Sequence, residues 1–172
     1  MRALAYAEEY RRLAPGDTAT SLVSRMQRRL GAAHSLAKDY TKAYAHYQES
    51  AKLEEAIYRE KPGALNAANF AVSLSEVGFV LLRLDRVEES LAMVDRSLAL
   101  RRKLFESDAA NTYYRFALSN SLVMKADRLH RLKRVEECGP LLAEADRLAA
   151  ELKDGGLQRA TVSAALAAWE KE

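Results

Sequence analysis

The chain has 172 residues, of which 49% are hydrophobic and 30% charged, with only 7 Gly and 3 Pro. That is apolar enough for a core and excludes an unfolded, low-complexity chain. A formal charge of +3, from 27 basic and 24 acidic residues, is too mild to mark a nucleic-acid binder by its total.

Residues 2–14 read as a helix with a partial apolar face of Leu4, Ala7, Tyr10, Arg11 and Leu13, ended by Pro15-Gly16. Asp17 and Thr18 are the expected N-caps of a helix over 18–37 that turns Leu22, Met26, Leu30 and Ala33 inward. Asp39 opens the next, which runs to about Glu60 with Tyr40, Tyr44, Tyr47, Ala51 and Ile57 on one face. Two more follow over 65–83 (Phe70, Leu74, Val77, Leu81) and 86–107 (Val87, Leu91, Val94, Leu98, Phe105). Asp108 and Asn111 offer caps for a helix over 111–131, and another is expected over 133–153. Asp154-Gly155-Gly156 breaks the pattern before a last helix over 157–170, carrying Leu157, Ala160, Val162, Leu166 and Trp169.

The helices form pairs, and the pairs repeat. Arg83-Leu84-Asp85-Arg86-Val87-Glu88-Glu89-Ser90 returns as Arg131-Leu132-Lys133-Arg134-Val135-Glu136-Glu137-Cys138, at 131 − 83 = 48. Pro15-Gly16 returns as Pro62-Gly63, at 62 − 15 = 47. Small residues twelve apart sit in the two helices of each pair: Gly31 and Ala43, Gly78 and Ser90, Ala126 and Cys138. Small side chains there let antiparallel helices approach closely. Phe116-Ala117-Leu118-Ser119 echoes Phe70-Ala71-Val72-Ser73 at 46, not 48. A gain of two residues, through a longer helix in the third pair, would explain it. The first half of that helix is left without a register.

This pattern resembles the tetratricopeptide repeat (TPR) family, whose helix A carries a small residue and whose helix B carries another twelve positions on. The helix B series continues as in that family: Ala43, Tyr47, Ser50; Ser90, Val94, Ser97; Cys138, Leu142, Ala145. Leu30 and Val77 precede the helix A small residue as the family's leucine does, whereas Lys125 departs from it. The period of 47–48 exceeds the family's usual 34 or so. With that period, the phrases Phe70-Ala71-Val72-Ser73 and Ala99-Leu100-Arg101-Arg102 resemble the long-period arrays of bacterial serine/threonine kinases and related signalling proteins. The resemblance implies an all-α fold, a right-handed α-solenoid of antiparallel helix pairs in a single domain over 1–172. Its parts would be a partial repeat over 1–16, repeats over 17–63, 64–110 and 111–154, and a C-terminal helix over 155–172. The opening helix aligns with a helix B. It is therefore expected to expose apolar surface, with a kinase-like domain or further repeats upstream.

Nothing in the chain reads as an active site. His34, His46 and His130 lack zinc-ligand spacing, and no glycine-rich phosphate loop or nucleophile elbow occurs. Cys138 stands where the family has a packing residue, and one cysteine excludes an intrachain disulfide. Neither enzymatic activity, nor a metal or other cofactor, nor a membrane is expected. A cytoplasmic setting is, since no apolar signal core follows Met1-Arg2.

The family's groove is lined by helix A residues facing away from helix B. Carried over by register, these are Arg25, Arg28, Arg29 and Ser35 in the first repeat. The second supplies Val72, Ser75, Glu76, Phe79 and Arg83; the third, Asn120, Val123, Asp127, His130 and Arg131. The carboxylate-clamping pattern of some family members is not reproduced. The expected peptide-binding groove is Arg25, Arg28, Arg29, Phe79, Arg83, Asn120, Asp127, His130 and Arg131, and its partner a protein segment, acidic or C-terminal. Arginines suit such a ligand through bidentate contacts. Glu76 and Asp127 interrupt the positive surface, which disfavours nucleic acid. A purely structural, self-associating array is the alternative.

Overall fold

The computed structural model describes residues 2–152. They form seven α-helices, one 3₁₀ turn and, among the described residues, no strand. The helices are α1 (Arg2–Leu13), α2 (Asp17–Leu36), α3 (Tyr40–Glu60), α4 (Ala64–Arg83), α5 (Val87–Ser107), α6 (Thr112–Arg131) and α7 (Cys138–Ala150). The turn Val135–Glu137 precedes α7. The expected break at Asp154 and the helix over 157–170 lie outside the described residues.

The period is structural as well as sequential. Helices α2, α4 and α6 each have 20 residues and start 64 − 17 = 47 and 112 − 64 = 48 apart, and α3 and α5 each have 21 and start 87 − 40 = 47 apart. Helix α6 is therefore no longer than α4, and the expected gain of two residues is absent. Burial gives the same register. Phe70 is 5% exposed and its counterpart at 48, Leu118, is 1% exposed, whereas Phe116 is 46% exposed. The four-residue echo at 46 is a coincidence of letters, with its two phenylalanines on different faces.

The turn after each of these helices repeats too. Lys38, Asp85 and Lys133 have φ of 58°, 59° and 61°. Each donates its N–H to the carbonyl three residues back (Ser35, Leu82, His130), and the next residue donates to the carbonyl five back (His34, Leu81, Leu129). These paired bonds are a Schellman end. It holds a non-glycine residue in the left-handed region at a cost of about 1–2 kcal/mol.

Helix starts follow local chemistry, with two departures from expectation. The Asp39 carboxylate accepts from the Lys42 N–H, and the Asn111 side chain accepts from Tyr113 and Tyr114 N–H. Asp17 and Thr18 do not cap α2: Gly16 precedes it, and Asp17 is its first residue, accepting instead from Lys61 Nζ at 2.6 Å. The helix expected from 133 opens as a 3₁₀ turn, and α7 starts only at Cys138. Pro140 accounts for this, since its ring would clash with the Glu136 carbonyl four residues back in a continuous α-helix.

The chain divides into two compact units, residues 1–86 and 87–172. In the first, contacts run antiparallel along α2 and α3: Asp17 with Lys61, Ser24 with Ser50, Gln27 with His46. Ser50 also meets Ser73 of α4, and Tyr58 packs on Phe70. Small residues set the spacing here. A Cβ on Gly31 would stand 2.8 Å from Tyr47 Cδ1, so only glycine lets that ring lie against α2. Helix α1 packs on α2 through Ala7 and leaves Tyr6, Tyr10 and Leu13 exposed.

In the second unit α6 lies between α5 and α7, antiparallel to both. Ser90, Asp95 and Arg101 meet Arg128, Lys125 and Ser121; Ser119 and Ala126 meet Ala145 and Cys138. Its core joins Leu91, Leu98, Leu118, Leu122, Leu129, Leu142 and Leu148 around Ala126, Cys138 and Ala145. Among the described residues one helix, α4, is long and apolar enough by length and composition to cross a membrane, and half of that stretch is buried inside the protein.

Candidate functional site

A candidate site lies in the first unit, where an ion pair joins α2 to α4. Arg28 donates from Nε to Glu76 Oε2 at 2.8 Å and from Nη2 to Oε1 at 3.0 Å. The separation, 76 − 28 = 48, is about one repeat, so the pair links neighbouring helices of the same kind. Arg25, Arg28, Arg29, Ala32 and Glu76 line a cleft of about 280 Å³. Spacings of three and four put the arginines on one side of α2. Arg25 and Arg29 are exposed, and neither has a hydrogen-bonding or ionic partner among the described residues.

Behind the pair sits a carboxylate that no expectation included. Glu54 is 3% exposed, and its Oε2 has no hydrogen-bond partner among the described residues. Tyr47, Ser50, Glu54 and Ile57 follow one another at spacings of three and four, so the buried face of α3 could have been traced through Glu54. Burial pushes the Glu76 carboxyl up despite the hydrogen bond from Arg28, and the charge of Glu54 adds to the rise. Burial alone would lower Arg28, but its hydrogen bond to Glu76 raises it. A guanidinium stays charged either way, so the titration of the pair is that of the Glu76 carboxyl.

Further along α4 the exposed Phe79 and Arg83 pack together, the guanidinium 5.2 Å from the ring centroid. The remaining expected groove residues belong to α6, in the second unit. Asn120 donates to Met124 Sδ at 3.8 Å, and Asp127 accepts from Arg128 Nη1 at 3.1 Å and Arg131 Nε at 3.3 Å. His130 is buried, and Arg131 is exposed.

Elsewhere, the rings of His34 and His46 stack at 5.3 Å with 6° between planes, and His46 Nδ1 meets Gln27 Oε1 at 2.7 Å. Burial and then the charge of His34 lower the His46 pKa. Among the described residues no group of three or more His, Cys, Asp or Glu could hold a metal ion. The Cys138 thiol is buried against the carbonyls of Ala126 and Arg134, and burial pushes its pKa up. A thiol held protonated is a poor nucleophile. Neither a family model nor a curated protein matches the sequence.

Proposed function

We propose that the chain is a TPR-like interaction module that binds an acidic peptide or protein segment along the α2–α4 face of its first unit and carries out no chemistry of its own. The observation behind this reading is the cleft: two uncommitted arginines beside a third held by Glu76. A carboxylate ligand suits it, each well-placed guanidinium contributing on the order of 1–3 kcal/mol through charged hydrogen bonds. Phe79 and Arg83 extend the face with an apolar surface and a further cation. Glu76 breaks the run of positive charge, so the face suits a shaped peptide better than a continuous phosphate track. The resemblance of the long-period repeat to arrays of bacterial signalling proteins favours a scaffold role within such a protein.

An acidic peptide array read with the full chain tests this. Peptides with clustered Asp and Glu are expected to be retained over their amide counterparts, and Arg25→Ala with Arg29→Ala to abolish the preference without changing the helical circular dichroism. Retention indifferent to both changes would sink the reading.

A second reading, self-association, rests on the exposed Tyr6, Tyr10 and Leu13 of α1. Sedimentation velocity over a range of concentrations tests it. Self-association requires a mass that rises with concentration in the wild type and does not in Tyr6→Ser with Tyr10→Ser.

A further inference from the structure

The charges around the cleft specify the anion more narrowly than "acidic". Three guanidiniums and one carboxylate line it, a sum of 3 − 1 = +2 over the lining itself, with the Glu54 carboxylate buried behind the pair. Arg28 gives Nε and Nη2 to Glu76, which leaves its Nη1 edge unengaged and its guanidinium fixed in orientation. Arg25 and Arg29, one turn apart and both exposed, flank it on the same helix. A single carboxylate has two oxygens and one charge, so it would satisfy one fork and leave the others facing a neutralised ligand. A phosphate monoester carries about −1.5 to −2 charge at neutral pH and three acceptor oxygens, enough for all three guanidiniums.

We propose that the cleft holds a phosphorylated side chain of a peptide, Arg25 and Arg29 clasping its oxygens and Arg28, positioned by Glu76, completing the ring of donors. The proposal rests on the interaction-module reading above and narrows it. The size agrees: about 280 Å³ is at the small end of ligand pockets, room for one side chain rather than a long buried segment. Glu76 adds selectivity, since phosphates in an unbroken row would meet its carboxylate. A single phosphate flanked by neutral residues would not.

Fluorescence anisotropy on the full chain at neutral pH and physiological salt tests it. The probes are an alanine-based nonapeptide with a central serine, glutamate or phosphoserine, and inorganic phosphate as competitor. The phosphoserine peptide is expected to bind about tenfold or more tighter than the glutamate peptide. Arg25→Ala with Arg29→Ala should remove that margin, while Arg25→Lys with Arg29→Lys, keeping the charge without the fork, should remove part of it. Both changes are at exposed positions, and circular dichroism verifies the fold of each variant. Equal binding of the glutamate and phosphoserine peptides would overturn the phosphate assignment and leave the acidic-peptide reading standing. If neither exceeds the serine peptide, both readings fall. Should inorganic phosphate bind as tightly as the phosphopeptide, the peptide source is wrong and a free phosphate is the ligand.

Discussion

In each unit an Arg–Glu pair ties two helices across the helix that packs between them. In the first, Arg28 and Glu76 join α2 to α4 at 2.8 and 3.0 Å; in the second, Arg102 and Glu144 join α5 to α7 at 2.7 and 3.0 Å. The geometries match, yet the carboxyls move in opposite directions. Glu76 is pushed up by burial with a second buried carboxylate, Glu54, close behind. Glu144 is held down by the hydrogen bond from Arg102, with Arg147 adding positive charge nearby. A salt bridge's geometry therefore does not give the sign of its contribution; desolvation and third charges do.

A buried charge at one position of the repeat carries a related contrast. Glu54 and Arg101 occupy equivalent places, at 101 − 54 = 47, and are 3% and 8% exposed. Arg101 gives Nη1 to the Ala117 carbonyl at 3.1 Å and to Ser121 Oγ at 2.6 Å, whereas Glu54 Oε2 has no partner among the described residues. One unit buries a served cation and the other an underserved anion.

Four experiments test the contrast between the units. The largest effect is expected at this buried position. Arg101→Ala should cost about 3 kcal/mol by opening a cavity and stranding Ser121, while Glu54→Leu should be neutral or stabilise by about 1–2 kcal/mol. Urea denaturation of the two variants checks this, and losses of similar size would erase the contrast.

Next in size is the helix contact itself. Gly31→Ala should destabilise by roughly 1–2 kcal/mol through the clash with Tyr47, net of about 1 kcal/mol regained in helix propensity. Tyr47→Leu should relieve that clash in the double variant. At the equivalent place in the second unit, 126 − 31 = 95 residues on, Ala126→Gly should cost about 1 kcal/mol. A stabilised Gly31→Ala would show that the ring moves aside freely.

The pH dependence should separate the two pairs in sign. Glu76, raised above its ordinary 4.5, binds its proton more tightly when folded. Its contribution is full below 4.5 and is lost as pH rises through the raised value. Glu144, lowered from 4.5, contributes above that value and loses its contribution as pH falls through the lowered one. Acidification from neutrality towards 4.5 should thus stabilise wild type relative to Glu76→Gln, and further acidification should destabilise it relative to Glu144→Gln. Urea midpoints between pH 3 and 7 decide it; the same sign for both variants would refute the assignment.

The smallest effect is one on which the units should agree. Lys38→Gly and Lys133→Gly should each add up to about 1 kcal/mol, since both residues sit at positive φ that glycine adopts without a side-chain penalty. A gain in one unit only would mean that one of the two turns is not in this conformation in solution.

Arg25, Arg28 and Arg29 could be grouped from their spacing alone, because three and four residues along a helix share a face whatever surrounds it. Glu76 was legible as a break in positive charge but not as the clasp of Arg28, and Ala32 and Glu54 were not singled out at all. The burial of Glu54 can be traced along α3 from its spacing, but its place behind Arg28 and the clasp by Glu76 depend on which side chains α3 and α4 bring up against α2, distances no spacing within one helix contains.

The same division holds for the fold. The helices, most of their limits, the caps at Asp39 and Asn111, and the period of 47–48 were determined by the sequence itself. They arise from hydrogen bonds and apolar spacing within a few residues of chain. Tertiary structure alone decided the register of α6, where an identical Phe-Ala start proved misleading because only packing separates a buried Phe70 from an exposed Phe116. It also decided which charges are buried and served, as at Arg101, or buried and left short, as at Glu54. Desolvation acts through neighbours in space, and the chain order does not list them.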